Sequence, residues 1–481
     1  MKLKFFSVLT LALLAFASTA QNIDDAIRYN YLAPVGSAKS VAMGGALGSI
    51  GADISAVSTN PASVGVFRTN YFSFTPSFNM SKSTASYYGN DSKVSKSKFN
   101  MFDDVGVVFS LDTEREKGCK MVNFSFAYDK FHDFRLNRMN VSGANNKGSF
   151  LDGEVYYYCE NPSDDNMYLE AGAILIDTLA NECFNSYQEY GQYGSTQLYE
   201  EKPSGSIGVL NFSIGCNLND KFYIGGSLDI YDVNYSMDSR FKEVSMLPTD
   251  FENLSLSKYF SSKGSGVGVK LGGIVWLNQF VRVGAAMHSP VLLSMNDVFN
   301  SRETVSTTYI KTPNQGSSYD DFKWTMTLPG KLVGSVAMVI PSFAMLSVDC
   351  EYVNYANTSM DDGDDEIFSY NSLSGVNDEI EQTLHNALNL KAGAEINLGP
   401  AVVRGGFAYF GSPYKSGEVN ESAKKMVYSA GIGFGGAVAS FDLAYRFEHN
   451  KLNSRIYSTN DSQYVLKNNI GSVVATFGFR F

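Results

Sequence analysis

The chain has 481 residues, with 38 Lys and Arg against 49 Asp and Glu, giving a net charge of −11. An acidic surplus without a basic run argues against nucleic acid as a partner. Aromatics make up 14% and Gly numbers 43, yet mean hydropathy is −0.12. That value excludes a bundle of apolar membrane helices but not membrane strands, which carry apolar residues only at every second position.

Lys2 and Lys4 precede an apolar run from Phe5 to Phe16 and the small residues Ser18-Thr19-Ala20. Residues 1–20 therefore read as a secretory signal cleaved after Ala20. No Cys follows the cleavage site, which argues against a lipid anchor. Residues 21–70 do not alternate and form an N-terminal periplasmic segment. Within them Gly36 to Gly65 carries Met43-Gly44-Gly45-Ala46, Ala52-Asp53 and Asn60-Pro61-Ala62. Small residues that permit close backbone approach, with a proline that fixes a bend, suit a compact plug inside a lumen.

From Tyr71 the pattern changes to a period of two, and residues 71–481 read as a transmembrane antiparallel β-barrel. The first strand runs from Tyr71 to Phe78. Val122, Phe124, Phe126 and Tyr128 then oppose Asn123, Ser125 and Asp129. Asn137 to Gly205 is a long connection whose apolar spacing predicts a helix near Met167 to Tyr187. Of the five Cys (119, 159, 183, 216, 350), Cys159 and Cys183 share this connection and either pair there or remain thiols. Leu332 to Val348 lacks charge, but Pro341-Ser342 in its middle favours a hairpin over a helical span. Asp361 to Glu366 is acidic without calcium-loop spacing and reads as a solvated outer loop. Ala439, Phe441, Leu443, Tyr445 and Phe447 oppose Ser440, Asp442, Arg446 and Glu448, and Phe477, Phe479 and Phe481 end an apolar row at the C-terminus.

Connection length decides between a sandwich and a barrel. Tight turns near 114–118, 218–221, 277–280, 341–343, 398–401 and 435–438 alternate with long polar stretches, of which 79–102, 236–263 and 296–321 are typical. Short turns on one rim and long loops on the other are the habit of outer-membrane barrels. Six tight turns join twelve strands, and one at each end makes fourteen. The strand ending at Phe481 must then pair with the strand at Tyr71, because in lipid only closure satisfies every backbone group. That seam would place Asn60-Pro61-Ala62 directly beside it.

At this point the chain resembles the FadL family of outer-membrane transporters for long-chain fatty acids and aromatic hydrocarbons. The resemblance rests on the Met-Gly-Gly-Ala, Ala-Asp and Asn-Pro-Ala stretches ahead of fourteen strands and a terminal Phe. Val281-Arg282-Val283-Gly284 with His288-Ser289-Pro290, Thr327-Leu328-Pro329, and Asn389 to Phe410 extend it. It implies that residues 21–70 form a hatch plugging the lumen, carried by Met43, Gly44, Gly45, Asn60, Pro61 and Ala62. It also implies uptake of hydrophobic small molecules with sideways release into the membrane, the partners being outer-membrane lipid, the ligand and the assembly machinery that reads Phe477, Phe479 and Phe481. A second function stays open: a FadL-like barrel of the PorV type that docks or shuttles cargo for a secretion system.

No cofactor motif, nucleophile elbow or metal-ligand spacing occurs, so an enzyme is not expected. His288-Ser289 cannot act as a dyad because adjacent strand residues face opposite ways. Gly264-x-Gly266-x-Gly268 and Gly431-x-Gly433-x-Gly435 lie on strands with no following helix and mark close approach in the wall. Lys391, Arg404 and Arg446 face inward on this register. They either hold an anionic ligand head or pair with Glu395, Asp442, Asp349 and Glu351 to brace the barrel.

Overall fold

A computed structural model describes residues 22–30, 33–153, 155, 174–177, 182–307, 318–362, 373–457 and 460–481. Fourteen antiparallel strands close into one barrel. In chain order they are β1 Tyr71–Tyr87, β2 Asn90–Asp112, β3 Cys119–Asp133, β4 Ser195–Leu218, β5 Phe222–Ser245, β6 Phe251–Trp276, β7 Val281–His288, β8 Lys331–Ile340, β9 Ala344–Asn354, β10 Asn386–Asn397, β11 Ala401–Phe410, β12 Lys425–Gly435, β13 Ala439–Arg455 and β14 Gln463–Arg480. Each pairs with the next, and β14 pairs with β1 (Tyr71 with Arg480, Phe72 with Phe479, Phe74 with Phe477). The rings of Phe74 and Phe477 stack at 5.0 Å across this seam. All six tight turns fall where expected, and Pro341-Ser342 does turn a hairpin.

Alternation puts the large apolar side chains outside. Phe124, Phe126, Phe212, Ile214, Ile224 and Val267 are exposed, whereas Asn123, Ser125, Asn211 and Ser213 on the same strands are buried. A globular core would invert that order. An outward apolar band over an inward polar face is what a barrel surrounded by hydrocarbon requires.

Several connections differ from the expected loops because pairing continues past the band; within 137–205, for example, Met139–Asn145 pairs with Ser195–Glu201. Residues 79–102 form a hairpin that turns at Tyr88-Gly89, where Gly89 takes φ 79°. Residues 236–263 are nearly all ladder between β5 and β6. Between β7 and β8, Val291–Thr307 continues the line of β7 against β6, and Ser318–Leu328 continues the line of β8. Polar sequence without an apolar face signalled loop, yet hydrogen bonding to a neighbouring strand needs no apolar face once the chain has left the lipid. The expected helix near Met167 to Tyr187 is also corrected. Among its described residues Ile174–Asp177 pairs antiparallel with Glu182–Asn185, and the helical ones begin only at Ser186, in the short helix Ser186–Tyr190. Cross-strand pairing outweighed a weak helical spacing there. A Cys159–Cys183 pair and most of the acidic run from Asp361 lie outside the described residues.

Cys119 bonds Cys216, with Cα atoms 6.1 Å apart, tying β3 to β4 beside their turns. The two strands are separated by 97 positions in the chain, so the link closes a long loop of the unfolded chain. Replacing both with Ser is expected to remove about 2–4 kcal/mol of stability. The check is a lower temperature for the heat-induced mobility shift on gels; an unchanged transition would contradict it.

Candidate functional site

The lumen holds a hatch built from residues 33–70. It contains a short helix Ala38–Ala42 and two 3-10 turns, Ile54–Ser58 and Pro61–Val66. Asn60 caps the second turn, its Oδ1 accepting from Ala62 N at 3.0 Å. Its Nδ2 donates to Gly48 O at 2.8 Å and across to the wall at Gly273 O at 3.1 Å. Pro61 at the start of that turn has no N–H to satisfy and is preset for its φ.

Close approach between hatch backbone and wall explains the glycines. A Cβ at Gly225 would strike the Pro61 carbonyl, one at Gly272 the Asn60 side chain, and one at Gly284 the Gly48 carbonyl. On the other side of the lumen, a Cβ at Gly393 would meet Met43 O and one at Gly406 would meet Gly44 N. Gly44 and Gly45 take φ of 64° and 79°, where side chains are strained. The two sequence motifs of the hatch are thus its two poles, pressed against β5–β7 and β10–β11. The expectation that Asn60-Pro61-Ala62 lies beside the seam is wrong: it sits far around the wall, against β5 and β6. The seam is met by Ala38, whose N–H donates to Thr476 Oγ1 at 2.7 Å. The β14–β1 closure fixes where the strands meet and says nothing of where the hatch turns.

Wall side chains satisfy further hatch groups. Asn123 donates to Val64 O and Phe67 O at 2.7 and 2.9 Å, and Asp349 accepts from Gly48 N at 2.9 Å. Ser55 and Ser58 donate to Asp104 and Asp129 at 2.9 and 2.6 Å. Arg446 donates to Pro34 O at 2.5 Å, so it clamps the hatch. Arg404 lies below it, ion-paired with Glu395 at 2.6 Å and Asp442 at 2.5 Å. Of the three candidate cations only Lys391 faces upward. It stands 3.5 Å from Glu351 and lines a cavity of about 70 Å³ with Lys270, His288 and Lys331.

Above that cavity the inner wall turns apolar. Leu293 and Met295 on the line of β7, and Trp324 and Met326 on the line of β8, are buried within the lumen with Tyr235, Phe260 and Ile380. The signal was present: Leu292 is 61% exposed and Leu293 2%, so both faces of this stretch are greasy and strict alternation fails. This chamber is filled by a helix of the chain itself, α1 (Ile23–Tyr29). Ala26 and Tyr29 are buried in it, the Arg28 guanidinium lies 4.4 Å over Tyr235, and Asn30 donates to Thr358 at 3.1 Å. Residues 22–30 therefore stand on the outer side of the hatch rather than its periplasmic side.

Among the described residues, the wall ladder lapses between β2 and β3. The β2–β3 ladder ends at Asp104 opposite Asp129, while β3 continues alone against β4 to Asp133. Beyond the last pair, β2 bulges against β1 between Thr75 and Ser77. Asn100, Asp103, Lys130 and His132 line the inside of this gap, and Phe99, Met101 and Phe102 stand outside at 59, 51 and 53% exposure.

Gly406→Val should unseat the hatch, since the added carbons overlap Gly44 and Met43. Faster proteolysis of the hatch in an otherwise heat-modifiable barrel is expected; wild-type resistance would show that the contact is dispensable.

No protein-family model and no curated protein matches the chain by sequence. Solved structures do. A FadL homologue of Pseudomonas aeruginosa superposes with TM-score 0.55 at 11% identity, covering 93% of this chain and 99% of that one. The toluene transporter TodX of P. putida gives 0.53 at 11%, covering 94% and 98%. At such identity the likeness speaks to architecture, and the architecture is plain: this chain has the FadL fold, a fourteen-stranded barrel closed around an N-terminal hatch.

Proposed function

We propose that the protein takes up hydrophobic small molecules across the bacterial outer membrane, exported there by the cleaved signal at residues 1–20. Fatty-acid-like and aromatic compounds are the ligand class, as the named activity of TodX suggests by analogy. The observation that carries the reading is the apolar chamber of Tyr235, Phe260, Leu293, Met295, Trp324 and Met326 on the outer side of the hatch. A channel for polar solutes gains nothing from a greasy lumen, whereas an apolar ligand leaves water on entering one.

In this reading a ligand displaces α1, meets the hatch and leaves sideways. The β2–β3 gap supports that route, because it is a stretch where no ladder seals the wall and where apolar side chains wait outside. Lys391 with Lys270 and Lys331 would receive an anionic head if the ligand has one. Phe477, Phe479 and Phe481 serve the assembly machinery.

The docking reading has one observation in its favour: α1 fills the chamber above the hatch, and the cavity beside Lys391 is only about 70 Å³, as in a barrel that is kept shut. Co-purification with a secretion complex from the native membrane would select it.

Trp324→Glu places a carboxylate in the chamber wall and is expected to lower uptake of a labelled fatty acid or toluene by about tenfold or more. Uptake equal to wild type from a correctly folded barrel would sink the transport reading. Deleting residues 36–65 should leave a barrel that folds but leaks ions in planar bilayers. Wild-type conductance would remove the hatch as gate.

A further inference from the structure

Above the apolar band the outward face of β13, β14, β1 and β2 becomes cationic within two rows. Register places Phe99, Phe78, Val473 and Tyr445 side by side, and the next row out holds Ser97, Met80, Gly471 and Phe447. The row beyond holds Ser95, Lys82, Asn469 and His449, and the one after it Lys93, Thr84, Lys467 and Lys451. Lys82, Lys93, Lys451 and Lys467 are all exposed.

Lys467 and Lys451 are direct cross-strand partners. Like charges so placed repel at a Cβ separation of about 5 Å unless an anion lies between them. None of the four lysines makes an ion pair. No Asp or Glu stands on any of these four rows. The nearest along the strands, Asp91, is one row farther out and is taken by the Ser86 hydroxyl at 2.5 Å. In a chain of net charge −11, this four-lysine face is a local exception.

Height identifies what meets it. Lys467 stands roughly 43 Å along β14 from Arg480, and Lys82 roughly 36 Å along β1 from Tyr71, at about 3.3 Å per residue. A strand tilt of about 40° makes these roughly 33 and 28 Å of height, just past an apolar band of about 25 Å. The lysines thus lie at the level of the outer lipid headgroups, directly over aromatics that acyl chains would cover.

We infer that this face binds the phosphorylated glucosamine headgroup of lipid A in the outer leaflet, with Lys451 and Lys467 on one phosphate and Lys82 and Lys93 on its flank. The inference rests on outer-membrane placement but not on transport. Phosphate is the anion that relieves the Lys451–Lys467 repulsion, and charge-assisted N–H to phosphate oxygen contacts are strong at a membrane interface.

The test uses the full barrel in detergent, with native mass spectrometry of bound lipid. Diphosphoryl lipid A should be retained by wild type. K451Q/K467Q should weaken it by about tenfold or more, and K451R/K467R should restore it. K117Q/K221Q, at the opposite rim, should leave it unchanged, and the heat-induced mobility shift verifies that every variant is folded. Equal retention by K451Q/K467Q, equal retention of dephosphorylated lipid A, or preference for phosphatidylglycerol overturns the proposal. Membrane fractionation separates the two failures: a barrel found in the outer membrane that ignores lipid A refutes this site alone, whereas one found elsewhere removes the placement beneath it.

Discussion

Everything in this molecule follows from the need to satisfy backbone hydrogen bonds without water. In the wall the solution is a closed ladder, completed where Tyr71 meets Arg480. Inside the wall the hatch has little regular structure, so its carbonyls and amides must find side chains instead. Asn123, Asp349, Asn60 and Arg446 provide them. They can do so only because the hatch backbone lies flush against Gly225, Gly272, Gly393 and Gly406. Wall glycines and hatch motifs are thus two halves of one fit.

That fit explains what was legible in the sequence. Strand period, tight turns and the terminal aromatic row are local features, and each reads correctly from a few neighbouring residues. The hatch motifs were visible as small-residue stretches, but the glycines they touch lie hundreds of positions away and look like any other strand glycine. The same is true of Arg404 and Arg446: both face inward as the alternation requires, yet one braces the wall below the hatch and the other clamps the hatch itself. No periodicity separates those roles.

Residues 79–102, 236–263 and 296–321 were expected as loops because their sequence lacks the apolar face that lipid demands. Above the membrane that demand lapses: strands there are polar on both sides and still paired, while Leu293 and Trp324 point inward and are greasy. What signals this region is the loss of alternation rather than its presence.

The position of α1 has a further consequence, for the order in which the molecule is made. Residues 22–30 lie above the hatch inside the barrel, packed among side chains of β4, β5, β6 and β9, with Asn30 bonded to Thr358. A segment so enclosed cannot easily be threaded into a finished cylinder through a floor already occupied by residues 33–70. It has to be in place while the sheet is still an open sheet. The meeting of β14 with β1 is then the last event of folding, and the cylinder closes around its own beginning.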